Sequence, residues 1–586
     1  GRIDHAVRDV SDSPGKTQPD SLGQMNAEGY YLDAGSAWYA DFAQAYVRFR
    51  LSGTTIPGWQ LISQGEKHSG GSPAAQIWQE DQPQLSIYLI AGPFQAYASD
   101  DGRAQVYLRA EDNELAQKYL SATARYVAMY EELLGPYPYA KFALIENNWE
   151  SGYGMPSFTL LGSRVIRLPF IVHTSYPHEI LHNWWGNGVY VDLSEGNWSE
   201  GLTTYLADHW LRAQRGKGAA YRFDALRKFS EFVSANNDFP LRDFYGRHSE
   251  SSQAIGYAKA MMVFHMLRQQ LGDAQFFAGL RAFYQQHRFQ RAAYSDLQAV
   301  MEEVSGASLT TFFQQWLTRT DGPQLALSSL RVREHAGEVR LSGELVQTQA
   351  DEAWQLQVPV AITTASGVTR RIVPMTDKRQ PFSWTLAEAP VRIQVDPDTD
   401  VFRRLSDTEM PLTLARFFAS GQNTLVVPDA APAPLKQAYQ ALAEDWSLKT
   451  GGHWAVVSDS AVERLDAISG NVLVLSRHNR LASDFARASG QPISDGFVLD
   501  GYDYAPTRDS VVLSTEGAQD ETHWVYIDAP DPAAIAGLAR KVPHYTAYSY
   551  LVFTGEGPQI QVKGQWQSLN TPMVACFAAM AVQVCE

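Results

Sequence analysis

Two histidines four residues apart, His178 and His182, constrain this chain more than any other feature. They frame the run His178-Glu179-Ile180-Leu181-His182. On a helix, residues four apart sit one turn apart on the same face, so both imidazoles can point at one ion. Neutral imidazoles in that arrangement suit zinc, and three protein ligands leave a fourth position for water. Glu179, adjacent on the helix, can reach that water as a general base.

Such a site needs a third ligand from another element. Residues 197–205, Asn-Trp-Ser-Glu-Gly-Leu-Thr-Thr-Tyr, open a second helix capped by Asn197 or Ser199. Glu200 lies in its first turn, where a carboxylate also meets the favourable end of the helix dipole. Gly186-Asn187-Gly188 provides a turn between the two helices. Antiparallel packing of the pair brings Glu200 against the histidines, so one zinc ion held by His178, His182 and Glu200 is expected. Asp208 and His209 on the Glu200 helix, and Asn187 in the turn, are candidates to orient a ligand from behind. Trp184 and Trp185 read as core packing, and His173 as structural or solvent-exposed.

This stretch resembles the aminopeptidase N family of zinc peptidases, gluzincins that also include leukotriene hydrolase. Its members carry H-E-x-x-H and then N-E-G on a later helix. The resemblance runs over most of the chain to about residue 322, with two departures at the metal site. Residues 183–199, one residue fewer than is usual in the family, separate His182 from Glu200, and Ser199 stands where the family has Asn. A one-residue trim in the turn is absorbed there. Further on, Ile255-Gly256-Tyr257-Ala258-Lys259-Ala260 resembles the family's Tyr-Glu-Lys-Gly segment. By position Tyr257 takes the role of hydrogen-bond donor to the oxyanion of the tetrahedral intermediate. Removing one such donor costs roughly 3–4 kcal/mol in comparable enzymes.

A third segment departs more deeply. Where the family's aminopeptidases carry Gly-x-Met-Glu-Asn, whose Glu grips the substrate's free α-amine, this chain has Gly154 and Met155 followed by Pro156 and Ser157. Proline carries no charge and no backbone donor. Glu150 and Glu28 are candidate replacements, although each also reads as a solvated surface carboxylate. The backbone of Gly152, Tyr153, Gly154 and Met155 is expected to hold a peptide as an added strand.

At 586 residues, three or four domains are expected. Residues 1–110 read as a β-rich N-terminal domain, with strand-like runs at 45–51, 59–62, 85–91 and 104–108, and the resemblance marks it as partial. Residues 111–322 turn helical and correspond to a thermolysin-like catalytic domain. Residues 323–405 alternate apolar and polar, as in a small β-sandwich. Residues 406–586 alternate strands and helices, which predicts an α/β domain with a mainly parallel sheet. The fold class is thus multidomain α+β.

A net charge of −16 with no Lys/Arg block argues against a nucleic-acid surface. The two cysteines, Cys576 and Cys585, accompany no metal-like cluster and read as buried or free thiols, with a local disulfide as the alternative. No stretch approaches twenty apolar residues, so no transmembrane helix is expected. The chain begins Gly-Arg-Ile, which implies an upstream segment removed, and the resemblance implies export to the periplasm or medium. The expected activity is zinc-dependent hydrolysis of peptide or protein substrates, with internal or modified peptides favoured. The alternatives are a conventional aminopeptidase with a relocated amine anchor and a non-catalytic scaffold that keeps the fold.

Overall fold

The computed structural model of the chain describes residues 23–40, 45–69, 75–149, 151–335, 337–419, 423–449, 453–493, 496–519, 522–566, 570–578, 581–583 and 585. It is a multidomain α+β protein with two compact units, Gly1–Leu405 with Met573–Val584 and Ser406–Pro572 with Cys585–Glu586. No helix among the described residues is long and apolar enough to cross a membrane.

The first unit begins with β structure. A four-stranded sheet orders Gln24–Met25, Tyr30–Leu32, Leu89–Gly92 and Gln60–Ile62, and a three-stranded one orders Val47–Thr54, Ala75–Gln84 and Glu66–Ser69. The strand Ala75–Gln84 was not expected, because Gln, Glu, Asp and Pro83 blur its pattern. It lies in the centre of its sheet and buries Ile77, Trp78, Glu80 and Gln84, so pairing on both sides outweighs weak propensity.

A five-stranded sheet then carries one wall of the site. Its strands are β1 (Gln95–Ala98), β2 (Ala104–Leu108), β3 (Phe142–Asn147), β4 (Gly152–Met155) and β5 (Phe158–Gly162), in the order β4-β5-β3-β2-β1. β3 is parallel to both neighbours and buried at every position, as a central parallel strand must be. β4 is antiparallel to β5 and forms the sheet's edge. Between β2 and β3 runs α1 (Asn113–Leu134). Asp112 caps it by accepting from the Leu115 amide, and Gly135, at φ +114°, ends it. Its buried stripe of Leu115, Tyr119, Thr123, Tyr126 and Tyr130 follows the three-to-four spacing of an amphipathic helix.

The helices of the site follow: α2 (Ser175–Leu181), α3 (Trp198–Thr203), α4 (Gly218–Phe232) and α5 (Ala260–Leu271). Two π-helical stretches interrupt the regular pattern, Thr204–His209 directly after α3 and Ala254–Lys259 directly before α5. Each widens the helix by one residue per turn, a distortion that recurs at functional sites.

Beyond residue 322 lie two antiparallel sheets. One orders Leu325–His335, Glu338–Gln347 and Arg379–Leu386; the other orders Gly367–Met375, Leu356–Thr364, Arg392–Val395, Val574–Ala578 and Ala581–Gln583. The last two strands were expected within the C-terminal α/β domain. Instead they pair with Arg392–Val395, whose outer edge would otherwise leave backbone groups unpaired. Ala575 and Phe577 are buried, giving that strand one covered face. Both cysteines are disulfide-bonded, which overturns the expectation of thiols. The hairpin of the last two strands sets Cys576 opposite Gln583, two residues before Cys585.

The second unit holds a seven-stranded sheet in the order Ala455–Ser458, Asn423–Val427, Asn471–Leu475, His523–Asp528, Asp509–Glu516, Tyr550–Thr554 and Gln559–Gly564. The first three pairings are parallel and the last three antiparallel, so the sheet is mixed rather than mainly parallel. The reason is local. The helix Ala433–Lys449 crosses over between parallel strands, whereas four residues, 555–558, join Tyr550–Thr554 to Gln559–Gly564 as a hairpin.

Candidate metal centre and cleft

His178 lies in the last turn of α2, and His182 is its C-cap, still in helical conformation at φ −56°, ψ −16°. Their Nε2 atoms face each other at 3.2 Å. Glu200, in the first turn of α3, brings Oε2 to 3.6 Å from His178 Nε2 and 3.5 Å from His182 Nε2. Asn197 caps α3 by accepting from the Ser199 amide, whereas Ser199 turns its hydroxyl to the Trp185 carbonyl at 2.8 Å. The three candidate ligand atoms lie within 4.8 Å of one another, and this is the one such cluster of His, Cys, Asp and Glu among the described residues.

The histidines' other nitrogens decide what these atoms can do. His178 Nδ1 stands 2.7 Å from Asp208 Oδ2, and His182 Nδ1 stands 3.0 Å from the Trp185 carbonyl. Both partners only accept, so both Nδ1 atoms carry hydrogen, and in the neutral form of each ring the Nε2 lone pair points at the other. Two lone pairs and a carboxylate on one point need a cation between them. Two nitrogens each about 2.0–2.1 Å from one tetrahedral centre stand about 3.3 Å apart, close to the spacing found. The donor set therefore fits zinc.

The same electrostatics appear in the ionisations. Burial would push the His178 imidazolium down, but the charge and hydrogen bond of Asp208, then Glu200, hold its pKa well above the ordinary value. Burial likewise opposes charge on Glu200, yet His182 and His178 hold its carboxyl well below the usual range. Without metal, the cluster gathers protons in its place.

Glu179 is buried beside His178, and burial pushes its carboxyl up despite the two histidines. β4 presses against it. A Cβ on Gly154 would stand 2.6 Å from Glu179 Oε2 and 3.2 Å from both Cβ and Cδ2 of His182, so any side chain there displaces the Glu179 carboxylate. Asn187 Nδ2 donates to the Gly154 carbonyl at 3.3 Å, so Asn187 sets the strand rather than a ligand. The Tyr257 hydroxyl, reached through the second π stretch, hydrogen-bonds Glu200; burial and then Glu200 push its pKa far up, keeping it a proton donor.

The other expectations sort themselves by contact. Asp208, within the first π stretch, does stand behind a candidate ligand, 2.7 Å from His178 Nδ1. His209 does not; its Nε2 lies 2.7 Å from the buried Arg222 guanidinium and its ring stacks on Tyr205. Trp184 and Trp185 are core, and His173 is exposed. Ser157 is buried at φ +67°, its amide donating to Asn183 Oδ1 at 2.8 Å while Lys141 Nζ donates to its hydroxyl at 2.8 Å. Neither Pro156 nor Ser157 thus offers a carboxylate for an amine. Glu28 is exposed and accepts from Asn148 Nδ2 at 3.0 Å, and Glu150 lies outside the described residues. A cavity of about 320 Å³ opens on the His178 side, walled by α4 and by the segment from Arg247 to Tyr257.

Asp208→Asn is expected to weaken zinc binding roughly 10–100-fold, the usual effect of removing a partner behind a ligand. Competition with a chromogenic chelator measures it; an affinity within twofold of the parent would show that Asp208 does not hold the ring.

Residues 171–316 match the model of the Peptidase family M1 domain. The alanine/arginine aminopeptidase of Saccharomyces cerevisiae is 24% identical over 44% of this chain and 33% of its own length. The aminopeptidase N of Streptomyces lividans is 26% identical over 48% of this chain and 36% of its own. A solved two-domain M1 zinc metallopeptidase aligns at 19% identity and TM-score 0.40 over 47% of this chain and 64% of that one. The chain spans about a third of the length of these two curated relatives. Within this chain, then, residues 171–316 are similar to the Peptidase family M1 domain, the stretch that holds His178, Glu179, His182, Glu200 and Tyr257.

Proposed function

We propose that this chain hydrolyses peptide bonds, with one zinc ion held by His178, His182 and Glu200. The observation that carries this reading is the convergence of three ligand atoms, within 4.8 Å of one another, beside a buried Glu179 and an open cleft. When bound, zinc polarises the scissile carbonyl and lowers the pKa of water. Glu179 takes the proton of the attacking water and returns it to the leaving amine. The Tyr257 hydroxyl donates to the oxygen on which negative charge develops. The free edge of β4 aligns the substrate backbone as an extra strand, with Gly154 admitting it close to Glu179.

The substrate class we favour is internal or modified peptides. Pro156 and the buried Ser157 leave the position of the family's amine-gripping pair without charge, so nothing there demands a free N-terminus. Incubation with N-acetylated peptides and with aminoacyl arylamides, with and without a chelator, tests both parts. We expect chelator-sensitive cleavage of blocked peptides at internal bonds. Cleavage of arylamides alone would make the chain an aminopeptidase with a relocated anchor. No cleavage of either by zinc-loaded protein would leave the scaffold reading.

A further inference from the structure

Two cations in the cavity beside His178 have no part in the chemistry described so far. Lys228 projects from α4, and Arg247 from the turn before the short helix Glu250–Gln253; both line the cavity that also touches His178, Glu179 and Tyr257. Each is paired with a carboxylate on its own segment. Lys228 Nζ lies 2.9 Å from Asp224 and Arg247 lies 3.2 Å from Glu250, with all four side chains between 39% and 59% exposed. Pairs of this local, exposed kind are weak and exchange readily for a better partner.

The place of Arg247 matters more than its pairing. It lines the same cavity as His178, Glu179 and Tyr257, so its guanidinium shares the space beside the reaction centre. β4 lies against Glu179 and His182, whereas the cavity touches Glu179 and His178. The strand and the cavity therefore meet at Glu179, so a chain laid along β4 can continue into the cavity. A guanidinium fork and an ammonium arriving from separate segments suit one ligand chemistry above others, a carboxylate.

We propose that the cavity is a carboxylate subsite, in which Arg247 with Lys228 holds an anionic group of the substrate. The carboxylate is that of a free C-terminus or of an acidic side chain. The consequence is a preference for short peptides that carry such a group within reach of the scissile bond. This rests on the peptide-hydrolysis reading for its substrate, and the experiment separates the two.

Four N-acetylated peptides of one sequence are compared: a neutral C-terminal amide, the free acid, and amides with Glu or with Lys at the last position. kcat and KM are measured on zinc-loaded parent, Arg247→Gln and Lys228→Gln. Binding of the same peptides is measured by calorimetry on zinc-loaded Glu179→Gln, alone and combined with Arg247→Gln. We expect the acid or the Glu amide to exceed the neutral amide about tenfold, mainly through KM, as a charge-assisted hydrogen bond gives. Which of the two gains identifies the source of the carboxylate. Arg247→Gln brings the ratio below twofold, and Lys228→Gln narrows it.

Equal use of all four peptides overturns the proposal. So does a preference that survives Arg247→Gln, since the metal would then hold the carboxylate. A preference for the Lys amide overturns it as well, by giving the cavity to Asp224 and Glu250. Should no peptide be cleaved, a calorimetric preference abolished by Arg247→Gln keeps the subsite and removes the hydrolysis reading. Cleavage without preference does the reverse.

Discussion

Exchange of Glu179 for glutamine lowers kcat for peptide cleavage by roughly 10²–10⁴-fold, the range of a positioned proton-transfer group, while zinc content stays at one ion per chain. The amide fills the same space against Gly154 and hydrogen-bonds much as before, but it accepts no proton. Burial pushes the native carboxyl up, which makes it a stronger base than an exposed glutamate. The neighbouring histidines pull the other way and limit that rise. Metal analysis and single-turnover kinetics on one preparation check the result. Loss of zinc together with activity would make Glu179 a structural support of the ligands. Unchanged turnover would take it out of the chemistry and favour a scaffold that only keeps the fold.

Gly154→Ala is expected to cut kcat/KM by about 10²-fold, the cost of displacing a reacting group by around an ångström, with zinc affinity nearly unchanged. The added methyl meets Glu179 Oε2 at 2.6 Å, and a carboxylate end is the one neighbour there that can give way cheaply. Glu179 therefore moves rather than the helix. His182 Cβ and Cδ2, at 3.2 Å, are tight but need give only slightly, so the ligand set survives. Two measurements test this: kcat/KM on a blocked peptide, and chelator competition for zinc. Parent-like kinetics would mean that β4 does not stand over the general base, which would also weaken the case for the strand as a peptide track. The same substitution at Gly152, whose nearest neighbour is Leu161 Cδ2 at 3.9 Å, serves as the control on the strand itself.

Much of the metal centre was legible because it is local or one element away. The spacing of His178 and His182 sets both on one helical face, and the capped turn at Asn197 places Glu200 at a helix start. The helical run from Asp112 to Gly135 and the buried tryptophans at 184 and 185 were readable for the same reason, since periodicity and end residues are local signals. The strand Ala75–Gln84 and the pairing of Val574–Ala578 with Arg392–Val395 were not. Their stability comes from partners distant in the chain, and no property of the segments alone announces those partners. The thiol reading of the cysteines failed likewise, because a two-strand hairpin brings them together.

The amino-acid sequence by itself determined which atoms can bind a metal, two imidazoles one turn apart and a carboxylate on a following helix, and set a second carboxylate, Glu179, between the histidines. Only the tertiary structure decided which nitrogens are free to do so. Asp208 and the Trp185 carbonyl fix the tautomers, and Asp208 reaches His178 from within the π stretch that follows α3. The reason is that donor chemistry is a property of residue type, whereas the direction of a lone pair depends on contacts thirty residues away.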